Sequence, residues 1–137
     1  MHPSAQGPRR HRVLLVEDHL DTRDMYAWSL EASGFDVLTA SDADGAFALA
    51  ADKRPDVVIT DFWLPGGPSG ADLCNRLKLD VRTAAIPTLM VTGSTQRQTA
   101  QNALSSGCAV VRLKPYLPDA LERDVRLLIA GERLATS

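Results

Sequence analysis

Hydrophobic period switches five times along this chain, and that alternation constrains its fold more than any other feature. Short runs of strand length come before longer stretches with helical spacing. Residues 13–16, 35–40, 56–60, 87–91 and 109–113 make the short set, and most of them carry apolar residues at consecutive positions. Residues 21–33 place Tyr26, Ala27 and Leu30 on one side, and Gly34 ends the helix. Residues 42–53 are Ala-rich, and residues 70–80 carry Leu73 and Leu77 at i,i+4. Residues 96–106 stop at Gly107, and residues 118–130 align Leu121, Val125 and Leu128 behind Pro118, which suits a first helical turn.

Strands that are apolar throughout are buried on both faces, as in a parallel sheet. Strict β-α alternation gives an α/β domain. Right-handed crossovers and the absence of repeats predict a doubly wound, flavodoxin-like sheet of five parallel strands with five helices, in order 2-1-3-4-5. A closed eight-stranded barrel needs nearly twice the length.

The 137 residues fit one domain, and 45% hydrophobic residues suffice for a single core. Residues 12–130 form that domain, residues 1–11 read as a disordered polar lead-in, and residues 131–137 as a C-terminal tail. A net charge of -2 argues against direct nucleic-acid or membrane binding, since both usually need a basic excess. The apolar runs are too short to span a bilayer, and no apolar signal core opens the chain, so a cytoplasmic location is expected. Cys74 and Cys108 lack metal or redox spacing and read as buried free thiols rather than a disulfide.

In an open α/β sheet the site lies outside the carboxyl ends of the strands. Those ends carry Glu17, Asp18 and His19, then Asp61, then Thr92, Gly93 and Ser94, then Lys114. Carboxylates crowded within about 4–6 Å repel by a few kcal/mol, so such a cluster favours a cation. The donors are hard oxygens, which selects Mg²⁺ or a similar ion over zinc. A phosphoryl group on Asp61 would complete the coordination, with Lys114 and the Thr92 hydroxyl meeting its other oxygens. His19 reads as a loop or first-turn residue, Trp28 as lying on a helix flank and Trp63 as partly exposed near the site, and neither tryptophan calls for a cofactor.

The segments at residues 13–19 (VLLVEDH), 55–65 (PDVVITDFWLP), 86–94 (IPTLMVTGS) and 112–116 (RLKPY) together resemble the receiver domain of two-component response regulators. The resemblance implies a phosphorylation switch rather than a turnover enzyme. It makes Asp61 the phosphoacceptor, Asp18 a direct Mg²⁺ ligand and Glu17 a ligand through water. The backbone carbonyl of Trp63 becomes a further ligand, with Thr92 and Lys114 as switch hydroxyl and lysine. It further implies a cis Lys114-Pro115 bond, a histidine kinase or histidine phosphotransfer protein as donor, and a downstream protein partner or self-dimer. The output surface it implies comprises the helix at 96–106, the strand at 109–113 and the helix at 118–130. No output domain fits after residue 130, which leaves a single-domain regulator or a piece of a longer protein.

Four positions depart from that family's pattern. Val111 stands where an aromatic switch residue is usual, and the loop from Pro65 to Gly70 is one residue longer. Trp63 is large and is expected to slow attack by water on the acyl phosphate, while Gly93 replaces a common alanine and opens access to the acceptor. Two alternatives follow from the residues. A receiver-like module that binds partners without phosphorylation is compatible with Val111 and the longer loop. A Mg²⁺-dependent phosphohydrolase would want an acid two residues after Asp61, where Trp63 stands.

Overall fold

The computed structural model describes residues 10–136. The expected lead-in, residues 1–11, lies almost wholly outside the described residues.

Five strands and five helices alternate: β1 (Arg12–Val16), α1 (Leu20–Ala32), β2 (Asp36–Ala40), α2 (Ala43–Lys53), β3 (Val57–Asp61), α3 (Gly70–Leu79), β4 (Thr88–Thr92), α4 (Arg97–Ser105), β5 (Val110–Leu113) and α5 (Pro118–Ile129). The strands are parallel in order β2-β1-β3-β4-β5, as the alternation predicts. Local chemistry sets the helix starts. His19 accepts from the Thr22 amide, Asp42 from the Gly45 amide, and Ser69 with Asp72 forms a reciprocal capping box. Pro118 occupies the first turn of α5.

Alternate residues of the strands supply opposite faces. Val13, Leu15, Val57, Ile59, Leu89, Val91 and Val110 meet Tyr26 and Leu30 of α1 and Leu121, Val125 and Leu128 of α5. Leu14, Val16 and Val58 meet Ala43, Ala46 and Ala50 of α2 and Leu73 and Leu77 of α3. A third cluster joins Ala71 and Cys74 of α3 to Met90, Ala103, Cys108 and Val111. The small side chains of α2 and α3 let helix backbones approach the sheet, and a fully buried aliphatic side chain contributes about 1.5–3 kcal/mol at such positions.

The cysteines correct the sequence expectation. Cys74 and Cys108 are joined as a disulfide with Cα atoms 5.8 Å apart, and no free cysteine remains among the described residues. Both are buried, as expected, but α3 and the turn between α4 and β5 bring them onto the same spot. Thirty-four residues separate them in sequence, and the helix packing that closes that distance leaves no trace in their spacing. Among the described residues, no helix is long and apolar enough to cross a membrane.

Candidate functional site

Sheet register assembles the rim. Val16 pairs with Thr60, so the next residues, Glu17 and Asp61, stand side by side at the strand ends. Asp61 pairs with Val91, and Thr92 pairs with Leu113. The Lys114 amide donates to the Thr92 carbonyl at 2.9 Å, which carries β5 one residue further to the same level. Four sequence-distant segments therefore meet at one edge because adjacent parallel strands end together.

The Lys114 ammonium stands 3.1 Å from Asp61 Oδ2 and 3.7 Å from Glu17 Oε1. Glu17 is only 4% exposed, and its second carboxylate oxygen accepts from the His19 amide at 3.2 Å. Burial by itself would lower the Lys114 pKa. The hydrogen bond to Asp61 and the charges of Asp61 and Glu17 outweigh it and hold the ammonium above its ordinary value. Lys114 is therefore a fixed positive charge at neutral pH. Asp18 lies exposed in the loop after β1.

Thr92 is buried, and its hydroxyl accepts from the Ser94 amide at 3.2 Å. Gln96 is the N-cap of α4 without a side-chain cap bond, and Ser94 Oγ accepts from the Gln96 amide and lies 3.0 Å from Thr99 Oγ1, which steadies the turn before the helix. His19 is the N-cap of α1 and contacts Thr22, a structural task. Trp63 is 67% exposed beside the site, edge-on to Phe62 with ring centroids 4.8 Å apart, and Trp28 is exposed on α1. Val111 is buried against α3 and α4. The Lys114-Pro115 bond is cis.

Two residues shape the site without a clear signal in the sequence. Gly70 starts α3 directly against the acceptor strand, and its amide donates to the Phe62 carbonyl at 2.7 Å. A Cβ there would stand 2.1 Å from the Asp61 carbonyl oxygen and 3.1 Å from Met90 Cε, so only glycine fits. The glycine is visible in the sequence, but not the strand that crosses it. Tyr26 donates to the Tyr116 carbonyl at 2.6 Å, tying α1 to the segment that follows Lys114. Burial raises the Tyr26 pKa, and the charges of Glu17 and Asp61 add to the rise while Lys114 opposes it. Tyr26 therefore stays a neutral donor.

The donor set suits a hard divalent cation. Glu17 and Asp61 share one ammonium at the strand ends, and their carboxylate oxygens are of the hard type such an ion takes. Among the described residues no three His, Cys, Asp or Glu side chains form a ready metal cage. Mg²⁺ does not require one, since it keeps several waters and takes one or two carboxylates together with phosphate.

A model of the response regulator receiver domain matches residues 13–126. The phosphate regulon transcriptional regulatory protein PhoB of Pseudomonas aeruginosa is 35% identical over 109 residues, covering 80% of this chain and 47% of that protein. The DNA-binding dual master transcriptional regulator RpaA of Synechocystis is 35% identical over 118 residues, covering 86% of this chain and 48% of that protein. The chain thus spans about half the length of these curated relatives. Among solved structures, the chemotaxis response regulator CheY4 of Vibrio cholerae is similar with a TM-score of 0.80 at 28% identity, covering 86% of this chain and 98% of that one. The receiver domain of NtrX from Brucella abortus has a TM-score of 0.79 at 30% identity, covering 88% and 99%. With the strand order, the lysine–carboxylate contact and a family match over nearly the whole domain, this chain belongs to the receiver-domain family of two-component response regulators.

Proposed function

We propose that this receiver domain is a phosphoacceptor switch of a two-component or phosphorelay system, and that Asp61 carries the phosphoryl group as an aspartyl phosphate. The observation that carries the reading is the 3.1 Å contact between Lys114 Nζ and Asp61 Oδ2 at the carboxyl edge of the sheet, flanked by buried Glu17 and Thr92. The donor is a phosphohistidine on a histidine kinase or a histidine phosphotransfer protein. An Asp61 carboxylate oxygen attacks phosphorus, the P–N bond breaks, and the imidazole leaves. Lys114 stays protonated and balances one phosphoryl oxygen, and the Thr92 hydroxyl donates to another. Asp18, Asp61 and the Trp63 carbonyl would hold Mg²⁺, with Glu17 acting through water. When bound, the ion neutralises charge on the phosphoryl oxygens.

In this reading the chain stores a signal and is not a turnover enzyme. The added charge, about -1.5 to -2 if the acyl phosphate behaves like other phosphorylated residues, gives Lys114 and Thr92 a new partner. The loops after β3 and β4 and helix α4 then shift population, and the α4-β5-α5 face binds a protein partner or a second copy more tightly.

The test is incubation with a small phosphodonor and Mg²⁺, followed by intact mass. A single phosphoryl adduct is expected on the wild-type chain and none on Asp61→Ala. An adduct that persists in Asp61→Ala would overturn the assignment.

A further inference from the structure

β5 is an edge strand, and a bare edge presents unpaired backbone groups for association with other chains. In this molecule the segment after α5 turns back onto that edge. The Gly131 amide donates to the Leu128 carbonyl at 3.0 Å and the Glu132 amide to the Leu127 carbonyl at 2.9 Å, with Gly131 at φ +86°, a left-handed helix end that reverses the chain. Leu134 packs against the core cluster shared by α1 and α5. The Ala135 carbonyl accepts from Arg112 Nη1 at 2.6 Å, and Thr136 Oγ1 accepts from the Val111 amide at 3.2 Å. One apolar anchor and two hydrogen bonds make this a seated segment.

The seat is connected to the rim. Arg112 also donates through Nε to Asp124 at 2.8 Å, and Asp124 is the partner of the Tyr116 hydroxyl. Tyr116 in turn offers its carbonyl to Tyr26. Val111 and Arg112 lie three and two residues before Lys114 on the same strand, and Lys114 faces Asp61. A phosphoryl group on Asp61 gives Lys114 a new oxygen partner and draws on the strand end that holds the segment.

We propose that residues 132–136 form an intramolecular strap that covers the β5 edge in the unphosphorylated chain and is released when Asp61 is phosphorylated. This rests on the phosphoacceptor reading for its release step, but not for the existence of the strap. Release would uncover the Val111 amide, one face of Arg112 and the seat of Leu134. These are the elements with which an edge strand takes on an added extended segment.

Amide hydrogen exchange at Val111, read residue by residue in the full chain, tests both parts. Without phosphodonor, Thr136→Val removes the acceptor while keeping the side-chain volume and is expected to speed Val111 exchange by about fivefold or more. Thr136→Ser keeps the hydroxyl and stays near the wild-type rate. With a small phosphodonor and Mg²⁺, and with the adduct verified by mass, wild-type Val111 exchange is expected to rise to the Thr136→Val level. In Asp61→Ala it stays slow. If Val111 exchanges equally in wild type and Thr136→Val, there is no strap. A verified adduct with unchanged Val111 exchange leaves a strap that is not released. Failure to form any adduct sinks the phosphoacceptor reading and the release with it, while the Thr136→Val comparison still decides whether the strap exists.

Discussion

Under α1 and α5 the core contains a polar chain, whereas under α3 and α4 the neighbouring elements are joined by apolar packing and a covalent bond. On the first side Tyr26 binds the Tyr116 carbonyl, the Tyr116 hydroxyl binds Asp124, and Asp124 holds Arg112. Asp124 is 2% exposed and Arg112 15% at their side chains, so this ion pair is largely withdrawn from water. On the second side the Cys74–Cys108 disulfide sits among Ala71, Met90, Ala103 and Val111. The difference shows that one sheet can have its two faces held by interactions that respond to different conditions. The polar side responds to pH and to loss of a single charge, and the other side to reduction.

Removing one member of a buried ion pair leaves the other's charge uncompensated, so the largest expected effect is on the polar side. Asp124→Ala should cost about 3–5 kcal/mol in urea unfolding. It leaves both the Arg112 guanidinium and the Tyr116 hydroxyl without their shared acceptor. A loss below about 1 kcal/mol would show that the polar chain is not what holds this face.

Reduction is the corresponding probe of the other face. The bridge spans 34 residues of sequence and encloses β4 and α4, and constraining a loop of that size contributes about 2–4 kcal/mol. Unfolding with and without reductant should differ by that amount, and intact mass should show a gain of two hydrogens. If reduction costs more than Asp124→Ala, the ranking of the two faces reverses.

The pH dependence sharpens the comparison because the polar face carries most of the shifted groups, the Asp80–Arg82 pair after α3 being the exception. Burial alone would raise the Asp124 pKa, but the bonds from Arg112 and Tyr116 hold it below the usual carboxylate value. Its contribution is therefore present above about pH 4 and lost as pH falls through the lower folded-state value. Burial and then the bond to Asp124 push the Tyr116 hydroxyl well above the usual phenol range. Lys114 is raised by its carboxylate partners despite burial. These two contributions are present below about pH 10 and are lost as pH rises through the folded-state values. Thermal unfolding across pH should show a plateau with losses on both flanks. Asp124→Ala should reduce the acid loss, with Asp80 and Glu122 keeping their own share, whereas reduction of the disulfide should leave both flanks in place.

The smallest effect belongs to the rim itself. A Cβ at Gly93 meets nothing within 4 Å, so Gly93→Ala should change stability by no more than about 0.5 kcal/mol. A larger loss in urea unfolding would mean that the turn after β4 is more tightly built than its open surroundings indicate.

Much of this architecture is legible in the sequence. A run such as Val13 to Val16, apolar at every position, cannot sit at a solvated surface, and five strand-length runs in alternation with helices leave few topologies. Once the strands are parallel and neighbouring, their ends share an edge, so Glu17, Asp61, Thr92 and Lys114 had to converge. The pairing of the cysteines escapes the sequence for the converse reason. Their burial follows from local apolar context, but their pairing depends on how α3 sits against the turn into β5.

The sequence by itself determined the order of elements, the buried faces and the edge at which the charged residues gather, because hydrophobic period and strand polarity are local properties that propagate. Only the tertiary structure decided which side chains touch across that frame. Lys114 reaches Asp61, Gly70 passes beneath the Asp61 carbonyl, Tyr26 meets Tyr116 across 90 residues, and Thr136 closes on Val111. Such contacts are set by helix placement to within an ångström or two, and residue spacing carries no information at that scale.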